Sequence, residues 1–316
     1  MSRYLIRRLL WLLVTLWALS FLVFVSVRLI PGDTIDLILG TSSILAEEQE
    51  AALRAYYGLD KPILQQYVVW FNSVLHGDMG LSIRTGRPVM SEVLERFPLT
   101  VELAVVTLAI ALPVGISLGI ASALKPNGLV DVLARLFSLA GMALPNFVVA
   151  ILTILILSVV FHWFPASGFV PFSEDPVQNL RQMFFPAVAL GMSMAAGVAR
   201  MTRSSMLEVL RQDYVRTARS KGLKEDAVIV RHCLKNALIP VITLVGIRFG
   251  RLLGGTVIIE QIYALPGVGR LALYAIYQRD YAMVQSSILF IALCYVLMNL
   301  ISDLAYAFVD PRIRYT

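Results

Sequence analysis

Six stretches of this chain, roughly 9–29, 99–123, 134–160, 185–203, 239–259 and 285–307, are apolar over a length that can cross a lipid bilayer. Crossing takes ~20 residues of helix. Inside hydrocarbon no water serves the peptide groups, so each segment must satisfy its own N–H and C=O groups and coils into an α-helix. With 58% apolar residues and a mean hydropathy of +0.75, the chain carries more apolar surface than a water-soluble core of 316 residues hides. The fold class is an all-α polytopic membrane protein with six transmembrane helices, one domain over residues 1–316. The first run is too long for a signal-peptide core and lacks a small-residue cleavage site, so it is read as a retained span.

Charge sets the expected topology. Nine Lys and Arg lie between Arg200 and Lys235, against Glu208, Asp213, Glu225 and Asp226. Basic loops stay in the cytoplasm, and six crossings then return Arg312 and Arg314 to the side of Arg3, Arg7 and Arg8. Both termini are therefore expected in the cytoplasm. Residues 31–98, with nine acids against five bases, form an insert expected outside. Leu45–Tyr57 and Ile63–Leu75 read as short helices within it, Gly77–Ser82 as a turn, and Tyr67, Val68, Trp70 and Phe71 as residues that need burial. The net charge of +6 follows from inner loops that meet anionic lipid rather than nucleic acid.

Small residues and prolines mark where the spans should bend and touch. Pro113 with the Gly115–Gly119 pair permits a kink and a close contact in span two; Ala143-Leu-Pro145 permits a bend in span three. Span four, rich in Gly, Ala, Ser and Met, is expected to be surrounded by other helices. In span five Gly246, Gly250 and Gly254 form a helix-packing stripe. Arg248 and Arg251 fall about 100° to 160° away from its middle glycine, at ~100° per residue. An arginine against lipid costs several kcal/mol at mid-membrane. Arg248 and Arg251 therefore line a translocation path, pair with Asp303 or Glu260, or snorkel to the inner headgroups.

The most informative polar stretch is Asp213 to Pro240, set between two apolar runs. Val215, Ala218 and Gly222 recur at i, i+3 and i+7, one side of a helix, and Gly222 should end it because glycine takes the left-handed cap freely. A second short helix is expected over about Glu225 to Ala237. Read from composition, this knob is a basic cytoplasmic loop that touches lipid headgroups. Read from its motif, it resembles the signature loop of ATP-binding-cassette importer permeases of the dipeptide, oligopeptide, nickel and glutathione branch. Ala218, Gly222 and Leu234 match that pattern in spacing; Arg216 and Lys235 depart from its general form as the peptide branch does. Glu260 to Arg270 is similar to the family's external re-entrant corner. The N-terminal Arg-Tyr-Leu-Ile-Arg-Arg, Pro31-Gly32-Asp33, Gly77 to Ser82 and the closing Asp-Pro-Arg-Ile-Arg-Tyr also occur in family order.

The resemblance implies a type I importer (MetI-like) permease fold with an external insert between spans one and two. It implies a coupling loop, 204–238, whose Tyr214, Arg216, Thr217, Ala218, Lys221, Gly222 and Leu223 meet an ATPase. It implies a homologous second permease, two ATP-binding-cassette ATPase subunits that bind ATP and Mg, an extracytoplasmic substrate-binding protein, and the bacterial inner membrane. Peptides lead as substrate, with nickel chelates, glutathione or anionic sugar conjugates behind.

The chain contains no Gly-x-x-x-x-Gly-Lys-Ser/Thr, His-Glu-x-x-His or Gly-x-Ser-x-Gly sequence, so it is read as a transport subunit with no cofactor of its own. Cys233 and Cys294 are expected at different depths, without a disulfide, and His76, His162 and His232 are scattered, without a ligand set. The alternative is an ion-gradient-driven secondary transporter or channel built on Glu102, Arg248, Arg251, Glu260 and Asp303. A helix-turn-helix DNA binder is excluded by the spans that flank the knob.

Overall fold

The computed structural model describes residues 2–29, 60–162 and 169–309. Among them five helices are long and apolar enough to span a bilayer, and a sixth span is available if one bent pair of helices is counted together. The expected helix Leu45–Tyr57, with all of residues 31–59, and the tail Arg312 and Arg314 lie outside the described residues. The chain divides into two compact units.

The first unit holds α1 (Ser2–Arg28), α2 (Ile63–Leu75), the start of α3 (Val89–Leu124), α9 (Val268–Tyr277) and α10 (Tyr281–Val309) as far as Val296. α2 has the boundaries expected of it. Tyr67 is buried, its hydroxyl 2.9 Å from Ser20 Oγ and its ring edge-on to Phe24. Trp70 and Phe71 are half-buried, but Val68 is exposed, on the face of α2 turned away from α1. The loop 77–88 closes on itself through the bridge Leu81–Pro88. Gly77 and Gly80 take φ of +82° and +81°, a region that costs glycine nothing. Val89 and Val93 of α3, Val268 and Leu271 of α9 and Phe290 of α10 form this unit's core.

The second unit is built around α6 (Pro176–Val209). Asp175 starts it, its carboxylate accepting from the N–H of Val177 and Gln178, with Pro176 at the first position where a missing N–H is harmless. As expected, α6 is the enclosed helix, buried over 67% of its apolar stretch against 22–33% for the other spans. Its small residues explain why. A Cβ at Gly115 of α3 would lie 2.7 Å from the Ala195 carbonyl, and one at Gly119 would lie 2.5 Å from Thr202 Cβ. Gly141 meets Ala196 in the same way. Glycine on one helix and alanine on the next let backbones approach closely.

One expectation is met and one needs correction. The third run bends at Ala143-Leu-Pro145, and sharply: α4 (Leu129–Ala143) and α5 (Asn146–Val159) meet at 108°, the angle of a broken span or a re-entrant turn. Pro145 excludes its predecessor from helical backbone, and Leu144 sits extended at φ −83°, ψ 126°. The second helix of the knob is not a separate short element. One turn at Glu225–Ala227 widens into a π-helical segment, Val228–Leu234, and continues as α8 (Lys235–Ile262). No glycine or proline stands between Glu225 and Ile239 to stop it.

Candidate functional site

The basic knob is α7 (Asp213–Ser220) and the turn after it. Lys221 ends the helix and Gly222 takes φ +76°, with open space where a side chain would point. α7 is strongly two-sided. Val215 and Ala218 are buried in a small core with Ala123 of α3, Met206 of α6, Val228 and Cys233 of the π segment, and Ala237 of α8. Tyr214, Arg216, Thr217, Lys221, Gly222 and Leu223 all face outward. Of the seven residues expected to meet an ATPase, six are thus displayed together, and Ala218 alone turns inward, against the chain's own spans.

Hydrogen bonds stiffen the displayed face. Asn236 Nδ2 donates to the Tyr214 hydroxyl at 2.9 Å, tying α7 to the first turn of α8. Arg219 donates from Nε and Nη2 to both oxygens of Glu225, at 3.1 and 2.6 Å, across the Gly222 corner. That carboxylate raises the already high pKa of Arg219, so the bond persists at any physiological pH. Arg216 and Lys221 keep their charges available; Arg216 is 3.7 Å from Asp213, a pair too exposed to matter much.

Beside the knob lies a cluster that the sequence reading passed over. Asp131, at the start of α4, is fully buried. It accepts from Arg203 Nε and Nη2 at 2.6 and 2.9 Å, from Ser122 Oγ at 2.5 Å and from the Asn127 N–H at 2.8 Å. The fork of Arg203 on one carboxylate is the strong form of ion pair. It joins the ends of α3, α4 and α6. Charge counting had treated Arg203 as a topology marker; the lone acid in the short 124–133 loop was the signal that could have found its partner.

On α8 the guanidinium of Arg248 lies over Gly197 of α6. A Cβ there would be 3.2 Å from Arg248 Cζ, and Nη1 donates to the Ser193 carbonyl at 3.3 Å. Arg248 is half-buried, meets a backbone carbonyl and pairs with no carboxylate among the described residues. Glu260 is fully buried and accepts from Thr100 Oγ1 at 2.8 Å. The side chains of Arg251 and Asp303 lie outside the described residues. Of the glycine stripe, Gly246 is half-buried, and Gly254 is exposed with nothing within 4 Å of a Cβ placed there.

Comparison with known proteins places these features. Residues 115–315 match the family described as binding-protein-dependent transport system inner membrane component, and residues 1–104 match the N-terminal component of the same systems. A protein of Brucella abortus named as a peptide transport system permease is 41% identical over 296 residues, covering 94% of each chain. The dipeptide transport system permease protein DppB of Alkalihalophilus pseudofirmus is 38% identical, covering both chains in full. Among solved structures, an amino acid ABC transporter chain superposes with a TM-score of 0.51 at 16% identity, over 71% of this chain and 95% of that one. At that identity the match speaks for the fold alone.

Proposed function

Because the chain belongs to the family of binding-protein-dependent transport system inner membrane components, we propose that it is the membrane-spanning subunit of an ATP-driven importer of peptides, seated in the bacterial inner membrane and working by alternating access. The chain is a permease subunit and not itself an enzyme; ATP and Mg belong to two separate ATPase subunits. A homologous second permease completes the pore, and an extracytoplasmic binding protein delivers solute against the insert 31–98. Peptide as the cargo is supported by relatives named for peptide and dipeptide transport.

The observation that carries this reading is the two-sidedness of α7. Beyond the Tyr214–Asn236, Arg216–Asp213 and Arg219–Glu225 contacts its polar face meets no partner among the described residues, while Val215 and Ala218 are seated on the ends of α3, α6 and α8. A push on α7 from a cytoplasmic motor is thereby delivered to three spans at once. The Asp131–Arg203 fork holds the ends of α3, α4 and α6 together so that the push moves them as a block. We assign 204–238 to the coupling loop on this ground. Arg248 and Arg251 are assigned to the translocation path, where a guanidinium selects an anionic group of the substrate. Gly246, Gly250 and Gly254 are assigned to close helix approach, which at Gly254 is left to a second subunit.

The test is reconstitution. With ATPase subunits, sister permease and binding protein present, Gly222→Val should insert normally and lose substrate-stimulated ATP hydrolysis; unaltered stimulation refutes the coupling assignment. Solute flux on a proton or sodium gradient through the chain alone in liposomes overturns the whole reading in favour of a secondary carrier.

A further inference from the structure

α2 is apolar over more of its surface than α1 covers. At ~100° per residue its side chains divide into two opposed arcs. The arc from Trp70 round through Tyr67 to Val68, about 160° wide, is apolar throughout. Gln65, Gln66, Asn72 and Ser73 lie opposite, with Val69 alone among them. Tyr67 is buried against α1, and Trp70 and Phe71 are half-buried. Leu64, Val68 and Leu75, at i, i+4 and i+11, form the uncovered flank, exposed by 70%, 59% and 68%. On a helix surrounded by water such a flank would be an unprotected apolar patch.

Contacts with α1 fix both the depth and the rotation of α2. The apolar stretch of α1 that can cross a bilayer runs from Leu10 to Arg28. Gln66, on the polar arc, accepts from Arg28 Nε at 2.8 Å, at the very end of that stretch. Tyr67, on the apolar arc, points the other way: its ring lies edge-on to Phe24 and its hydroxyl is 2.9 Å from Ser20 Oγ. At 1.5 Å per residue, Phe24 is about 6 Å and Ser20 about 12 Å inside Arg28. The helix therefore sits level with the last turns of the span, its apolar arc toward the membrane middle and its polar arc toward water. Phe21 of α1, itself exposed, is edge-on to Tyr67 at 5.3 Å between ring centroids, and Leu22 beside it is exposed as well. The flank of α2 continues the apolar surface that α1, as a span, presents to lipid. Tyr67 and Trp70 are the residue types that favour the membrane–water boundary.

We propose that α2 is an interfacial helix seated in the outer leaflet, with Leu64, Val68 and Leu75 among phospholipid acyl chains and Gln65 and Asn72 at the headgroups. An amphipathic helix in this position buries its apolar face a few ångströms into the boundary between headgroups and chains. The insert 31–98 is thereby fastened to the membrane surface at α2. The placement requires α1 to be a span, and it is independent of any ATPase or transported solute.

The experiment is electron paramagnetic resonance of the full chain in phosphatidylcholine nanodiscs, with a nitroxide at one cysteine in a background without Cys233 and Cys294. Leu64→Cys and Val68→Cys report the apolar flank, Gln65→Cys the polar arc, and Leu13→Cys of α1 the acyl-chain reference. All four positions are exposed, so the label displaces no packed side chain. Collision with oxygen, which concentrates among acyl chains, is compared with collision with a water-soluble nickel chelate. The expected oxygen-to-nickel ratio at Leu64 and Val68 is several-fold above that at Gln65 and approaches that at Leu13. The same ratios are expected when the sister permease and ATPase subunits are present. Equally low ratios at all three α2 positions put the helix in water and overturn the proposal. Protection of Leu64 and Val68 from both reagents also overturns it, giving the flank to protein: residues 31–59 or a second copy if seen in the chain alone, the sister permease if seen only in the complex.

Discussion

At Arg248 the membrane interior has room for a guanidinium because the facing position on α6 is glycine. The group lies across Gly197 and donates to the Ser193 carbonyl, which offsets a part of the cost of leaving water. Two predictions belong to single residues. Gly197→Leu needs space already filled by Arg248, so it should displace the guanidinium and lower uptake of acidic peptides as Arg248→Gln does, while Gly197→Ala, with contacts at 3.2 Å, should lower it less. Unchanged uptake in both arginine and leucine variants removes Arg248 from the path. Asp131→Asn should cost about 1.5–3 kcal/mol, because it takes the charged acceptor from a half-buried Arg203. Thermal unfolding in detergent measures it, and Asp131→Asn with Arg203→Gln should recover part of the loss.

At the scale of elements, α7, proposed as the coupling lever, is pinned to its neighbours rather than loose. Three features make it so: the buried pair Val215 and Ala218, the Tyr214–Asn236 bond, and the Arg219–Glu225 fork over the Gly222 corner. Val215→Asp should separate the lever from the bundle, leaving basal ATP hydrolysis by the assembled complex but removing its response to substrate; a full response would show that α7 need not be seated. Gly222→Val places a β-branched residue at φ +76° at a cost of about 1–3 kcal/mol, although it meets no neighbour, so its effect should come from the altered corner alone. Gly222→Asn, which tolerates that region, should restore coupling. The π-helical segment Val228–Leu234 makes the link from Glu225–Ala227 into α8 continuous, on the far side of the Gly222 corner from α7.

At the scale of the molecule, the opposed charge of insert and knob predicts their opposite exposure. In a background without Cys233 and Cys294, Arg84→Cys should react with an impermeant maleimide from outside intact cells, and Lys221→Cys only after the inner face is opened. Reaction of both from one side would reverse the topology. Much of this architecture is legible in the residues themselves. Spans follow from runs of apolar side chains, because lipid demands helix wherever such a run is long enough. The boundaries of α2, the stop at Gly222 and the enclosure of α6 follow from local backbone freedom and side-chain size. The bend at Ala143-Leu-Pro145 was legible, but its 108° angle, the merging of the knob's second half with α8, the inward turn of Ala218, and the partners of Asp131 and Arg248 were not. Each depends on which helix stands opposite, and that is decided by close approach between segments far apart in the chain. The order of residues determines what each helix can offer on every face; only packing decides which offer is taken up.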